Sequence, residues 1–75
     1  MSSAIIDYLA RDIERIAAED VALRPREGYA RSIARAIFEE HGESLEIDRY
    51  NEVGGVDLER VLGELRSDQP TWFVQ

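Results

Sequence analysis

The chain has 75 residues, no cysteine and one histidine, and its sixteen acidic side chains outnumber nine basic ones, giving a formal net charge of −7. The absence of cysteine excludes disulfides and thiolate metal sites, and one histidine excludes a zinc site built from several histidines. A chain of this length forms one small domain, residues 1–75, and no stretch approaches the roughly 20 apolar residues that would span a bilayer, so we expect a cytoplasmic protein.

Apolar residues at helical spacing predict a first helix that ends near Glu19. Ser2 or Ser3 can cap its N-terminus. Its apolar face consists of Ile5, Ile6, Leu9, Ile13, Ile16 and Ala17. If the helix continued, Asp20 would lie on this face, so we expect the helix to end before it.

A second helix is predicted to begin at Pro25, because proline's missing N–H costs nothing at the first helical position. Gly42 is the expected C-terminal cap. The apolar face of this helix consists of Tyr29, Ala30, Ile33, Ala34, Ile37 and Phe38.

The region after Gly42 predicts a short strand, a helical turn and a third helix. Apolar and polar residues alternate over Leu45 to Ile47, as in a half-buried strand, and the spacing over Asp48 to Val53 favours a helical turn. The third helix follows Asp57 as its cap, with Leu58, Val61, Leu62 and Leu65 as its apolar stripe. The tail, Thr71 to Gln75, predicts a second strand that pairs with the first. The fold class is therefore mainly α, a small three-helix domain with a minimal two-stranded β element.

The run Gly55-Val56-Asp57-Leu58-Glu59-Arg60-Val61, followed by Leu65, resembles the turn and second helix of helix-turn-helix domains. With a strand on either side, residues 30–74 resemble a reduced winged helix, and the resemblance implies DNA binding by the third helix. That helix carries Asp57, Glu59 and Glu64. Because affinity for duplex DNA comes largely from neutralising phosphates, these acids disfavour direct nucleic-acid binding.

Four of the nine arginines, Arg24, Arg26, Arg31 and Arg35, lie in one stretch that contains a single acid, Glu27. Such a stripe can bind carboxylates or phosphates, because guanidinium groups present paired donors. The alternative is a solvated helix face, in which Glu27 pairs with Arg31 and Arg35 with Glu39.

Nine carboxylates lie between Glu39 and Glu64, among them Glu40 and Glu43. They can imitate phosphates and occupy a basic groove of a nucleic-acid-binding protein, or they can simply keep a small domain in solution. Trp72 is a candidate anchor for a partner, and we expect at least one of Trp72 and Phe73 to lie in the core.

No catalytic, metal-binding or cofactor-binding residue is assigned, because a domain of this size leaves little room for a walled pocket. The sequence predicts a small acidic non-enzymatic protein that binds and inhibits or modulates a protein partner, basic or nucleic-acid-binding, through the arginines, Glu39, Glu40, Glu43 and Trp72. In size and charge alone the chain is similar to phage-encoded anti-CRISPR proteins. The alternative is a dimeric helix-turn-helix regulator or antitoxin that binds DNA, and a homodimer is open under either hypothesis.

Overall fold

Three helices and one short hairpin make up residues 4–74, the part of the chain that this computed structural model describes. The helices are α1 (Ala4–Glu19), α2 (Ala30–His41) and α3 (Leu58–Asp68), and strands β1 (Glu46–Ile47) and β2 (Val53–Gly54) pair antiparallel between α2 and α3. Single 3₁₀ turns cover Val21–Leu23, Gly42–Ser44 and Pro70–Trp72. The predicted mainly α fold, with three helices and a two-stranded element, is confirmed. Within residues 4–74, no helix combines the length and the apolar character needed to cross a membrane.

The core lies where the apolar faces of the three helices meet. Its largest fully buried apolar side chains are Leu9, Ile13, Ile33, Ile37, Leu62 and Phe73. All but Phe73 occupy positions that helical periodicity predicts, because every third or fourth residue of a helix returns to the same face. The prediction was wrong for Phe38, which remains 38% exposed at the edge of α2.

The ends of α1 and α3 follow the predicted signals. α1 ends at Glu19, and Asp20 begins a 3₁₀ turn in which its carboxylate accepts a hydrogen bond from the Ala22 N–H at 3.1 Å. Asp57 caps α3 by accepting a hydrogen bond from the Arg60 N–H at 3.3 Å. The predicted caps Ser2 and Ser3 lie outside the described residues.

The predicted start of the second helix at Pro25 is wrong, because residues 24–26 are extended and pair with the tail. The Arg26 N–H donates to the carbonyl oxygen of Trp72 at 2.9 Å, and the Val74 N–H donates to that of Arg24 at 2.8 Å. The tail therefore does not pair with residues 45–47, and α2 begins only after Gly28 has turned the chain with φ +85°.

The predicted helical turn over Asp48 to Val53 is also wrong, because these residues form the turn and second strand of the hairpin. The Asp48 carboxylate accepts hydrogen bonds from the N–H groups of Tyr50, at 2.8 Å, and Glu52, at 3.0 Å. Asn51 follows with φ +62°, a left-handed conformation that asparagine tolerates. The hairpin therefore occupies the part of the chain in which the helix-turn-helix resemblance implies the first helix of the motif.

Candidate protein-interaction site

The hairpin is tied to α1 by a buried carboxylate. Asp12 is 1% exposed, and it is the one buried charged residue among residues 4–74. Its Oδ2 accepts a hydrogen bond from the Val53 N–H at 2.7 Å, while Arg15 Nη2 lies 3.1 Å from Oδ1 without hydrogen-bond geometry. A buried charge is costly unless it is paired and hydrogen-bonded, and these two contacts offset part of that cost. Asp12 thereby fixes β2 against α1.

Two arginines of α1 hold the adjoining part of the hairpin. Arg11 Nη2 donates to the carbonyl oxygen of Asn51 at 2.9 Å, and Arg15 Nη1 lies 3.3 Å from a carboxylate oxygen of Glu52. With Asp12, they contact three successive hairpin residues. Two strands of two residues each would not hold this hairpin in place alone. Its position is therefore set by α1.

We expect Asp12→Ala to lower the free energy of unfolding by about 2–3 kcal/mol, because it leaves the partly buried Val53 N–H without its charged acceptor. Urea denaturation measures the loss. Asp7→Ala is the matched control on the same helix, since Asp7 is exposed and its ion pair with Arg31 is worth less than about 1 kcal/mol. Equal losses for the two variants would contradict the role assigned to Asp12.

The hairpin presents two large apolar side chains to solvent. Tyr50, in the turn, is 70% exposed, and Ile47, in β1, is also exposed. The guanidinium of Arg49 lies 5.7 Å from the Tyr50 ring centroid, and Glu46 and Asp48 are exposed on either side of Ile47. One exposed apolar residue is ordinary on any protein, but two on one anchored hairpin mark a candidate contact surface.

The carboxylates from Glu39 to Glu64 are all exposed. Two of them form close ion pairs, Glu52 with Arg15 at 3.3 Å and Glu64 with Arg60 at 2.9 Å. Most of the negative charge in this region therefore faces solvent without a neutralising neighbour. Among residues 4–74, no acidic or histidine cluster has an arrangement that could hold a metal ion.

The predicted acidic residues Glu39, Glu40 and Glu43 come together around one open groove at the C-terminal end of α2. The groove has a volume of about 690 Å³ and is also lined by Phe38 and His41. Glu40 lies 3.8 Å from His41 Nε2, whereas Glu39 and Glu43 have no ion-pair partner within residues 4–74. The groove lies just before the hairpin in the chain, so carboxylates continue from α2 to the hairpin turn.

The four arginines of the predicted stripe lie on two different parts of the fold. Arg24 and Arg26 lie beside the tail, where Arg26 Nη1 donates to the carbonyl oxygen of Thr71 at 3.3 Å. Trp72, the predicted anchor, is half-buried and packs against the core. These three predicted residues therefore share one edge of the molecule, at the N-terminal side of α2.

The other two predicted arginines lie on α2 and are engaged differently. Arg31 forms an ion pair with Asp7 of α1, and Arg35 has no ion-pair partner within residues 4–74. The predicted pairs of Glu27 with Arg31 and of Arg35 with Glu39 do not form. Glu27 precedes the helix, so the spacing of four residues does not place it beside Arg31.

The residues that build the hairpin site were not predicted as functional. The sequence predicts Ile47 in a strand and Tyr50 in a helical turn, and no sequence signal shows that their side chains face solvent. For Asp12 a signal exists, since the helical projection of α1 places it at the edge of the apolar face beside Ile5 and Ile16. Comparison with known protein families, with curated proteins and with solved structures finds no match for this chain.

Proposed function

We propose that this protein is a non-enzymatic binding protein that inhibits or modulates a basic partner protein through its acidic hairpin. The observation that carries the proposal is Tyr50, which is 70% exposed on a hairpin that the buried carboxylate of Asp12 fixes to α1. The exposed ring of Tyr50 contributes little to folding, and yet a buried carboxylate fixes the element that carries it. An exposed aromatic residue on a rigidly held element favours a role in binding.

Anchoring of the hairpin lowers the cost of association. A loop that is already held in one position loses less conformational freedom when a partner docks. Tyrosine suits such a position, because its ring offers a large contact area with few rotatable bonds and it is frequent at binding hot spots. Tyr50 and Ile47 would supply the apolar centre of the interface.

The charge around the hairpin favours a basic partner. Glu46 has no ion-pair partner among residues 4–74, and the acidic groove at Glu39, Glu40 and Glu43 extends the negative surface. Carboxylates attract a positively charged surface and speed its encounter. A protein that handles nucleic acid fits this description, since its basic groove is built to receive phosphates.

The central test is loss of partner capture by Tyr50→Ala. We expect affinity capture with the unaltered protein, followed by mass spectrometry, to recover a basic protein, and calorimetry with that purified protein to show at least about 30-fold weaker binding by Tyr50→Ala. Val21→Ala is the matched control, because Val21 is apolar and 69% exposed but lies in the turn after α1. Both variants should melt close to the unaltered protein. Equal binding by all three proteins would contradict the proposal.

A charge test separates this function from direct DNA binding. We expect Glu46→Gln to weaken partner binding and Glu14→Gln, on α1, to leave it unchanged. Duplex DNA should compete with the hairpin for a nucleic-acid-handling partner. A mobility shift of duplex DNA by the protein alone at about 50 mM salt would instead favour the DNA-binding regulator.

A further inference from the structure

A row of four charged residues follows the exposed side of α2 and the 3₁₀ turn after it. Arg31, Arg35, Glu39 and Glu43 are spaced by four residues, and all four are exposed. We call them the α2 charge row. We infer that a second copy of this chain docks on this row, with the two α2 helices antiparallel across a two-fold axis. This interface goes beyond the proposed function, because it does not involve the hairpin and shares only Glu39 and Glu43 with the acidic groove.

The charges of α2 are arranged against its own dipole. A helix favours acidic side chains at its N-terminus and basic ones at its C-terminus. α2 has no acidic residue in its first turn, where Arg31 lies, and Tyr29 provides no side-chain cap. Glu39 and Glu40 lie in its last turn, which also contains the basic residue His41. This arrangement destabilises an isolated α2.

α3, in contrast, has charges that complement its helix dipole. Asp57 caps α3, Glu59 lies in its first turn and Arg66 in its last. Among the three helices, only α2 has no acidic residue in its first turn. An antiparallel second α2 compensates for this, because the acidic end of each helix then lies beside the positive N-terminus of the other.

The α2 charge row is self-complementary under two-fold symmetry. Its order is two arginines followed by two glutamates, so an antiparallel copy places Arg35 opposite the partner's Glu39. Arg31, which pairs with Asp7 in its own chain, lies on the side of the partner's Glu43. Each contact occurs twice, as in any interface formed by the same surface on both subunits. A parallel copy would place like charges together.

Three of the four residues of the row are available for this contact. Arg35, Glu39 and Glu43 have no ion-pair partner among residues 4–74. Arg35 does not pair with Glu39 in its own helix, and arginine before glutamate is the weaker order for that spacing. Phe38 lies three residues after Arg35, beside it on the helix surface, and its exposed ring supplies apolar area for the interface.

Charge reversal tests the interface, because a misfolded variant would not recover dimerisation when it is mixed with the opposite variant. Sedimentation velocity on the full chain is expected to show a dimer that dissociates as salt rises. Arg35→Glu alone and Glu39→Arg alone should each weaken dimerisation at least about tenfold, because each places two like-charged pairs in the interface. An equimolar mixture of the two variants should form a heterodimer, since both contacts then join opposite charges. The double variant should dimerise like the unaltered chain, and Arg49→Glu, on the hairpin, is the control.

Three results would overturn this inference. They are a monomer at every concentration of the unaltered chain, a dimer that survives both single reversals, and a mixture of the two variants that stays monomeric. Partner capture by Tyr50 is measured separately, because Tyr50 does not belong to the row. Loss of the dimer therefore leaves the hairpin proposal standing, and failure of capture leaves the dimer standing.

Discussion

Replacing Gly55 with alanine is expected to lower the free energy of unfolding by at least about 3 kcal/mol. Gly55 joins the hairpin to α3 with φ +90°, a conformation that residues with a side chain rarely adopt. A Cβ at this position would overlap the carbonyl oxygen of Ser44 and lie 3.2 Å from the Glu46 nitrogen. Both neighbours are backbone atoms, so neither can rotate away. Thermal denaturation followed by circular dichroism measures the loss.

Substitutions at two other glycines separate the two causes of this loss, which are the positive φ and the overlap of the Cβ with the Ser44 carbonyl oxygen. Gly28 has φ +85° but open space around its missing Cβ, so Gly28→Ala should show the conformational cost alone, about 1–2 kcal/mol. Gly63 lies within α3 with open space around it, and Gly63→Ala should raise stability by about 0.5–1 kcal/mol. If Gly55→Ala cost no more than Gly28→Ala, the close approach to Ser44 would not matter.

Phe73→Ala is expected to cost about 3–5 kcal/mol, because it removes a fully buried aromatic ring from the core. A domain of this size is stable by only about 4–11 kcal/mol, so much of its stability would be lost. Urea denaturation followed by Trp72 fluorescence measures the loss next to the substituted residue. Far-ultraviolet circular dichroism should give the same midpoint, because the tail unfolds with the helices.

Val74→Ala is the matched control for this variant. Val74 is the next residue and its N–H makes the backbone bond to Arg24, but its side chain is exposed, so a loss of about 0.5 kcal/mol or less is expected. A small loss of stability for Phe73→Ala would show that the tail contributes little to the core. A fluorescence transition at lower urea than the loss of helix would show the same.

The helices and their buried faces could be predicted from sequence because the signals are local. The apolar spacing of residues such as Ile33 and Ile37 requires only that the helix have 3.6 residues per turn. The Asp57 cap depends on contacts within one turn of chain. The predicted start of the second helix at Pro25 was wrong, because a nonlocal contact sets the backbone conformation there. The Arg26 N–H donates to the carbonyl oxygen of Trp72, in the tail.

The hairpin could not be predicted for the same reason. Residues 47, 50 and 53 have the spacing of a short helix, but the N–H of Val53 bonds to Asp12, 41 residues earlier in the chain. A contact at that separation leaves no trace in local periodicity. The acidic groove was easier to foresee, since Glu39, Glu40 and Glu43 are close in sequence. The exposure of Tyr50 depends on how the hairpin packs on α1, and the spacing of apolar residues in the sequence does not indicate this packing.

The bond between Asp12 and Val53 also determines how the hairpin fluctuates. Amide protons in strands of two residues normally exchange with solvent during small local openings. The Val53 amide is instead tied to a carboxylate buried in α1, so its exchange requires α1 and the hairpin to separate. We expect it to exchange as slowly as amides in the middle of α1. The hairpin would then belong to the same cooperative folding unit as the longest helix, despite having only two residue pairs of its own.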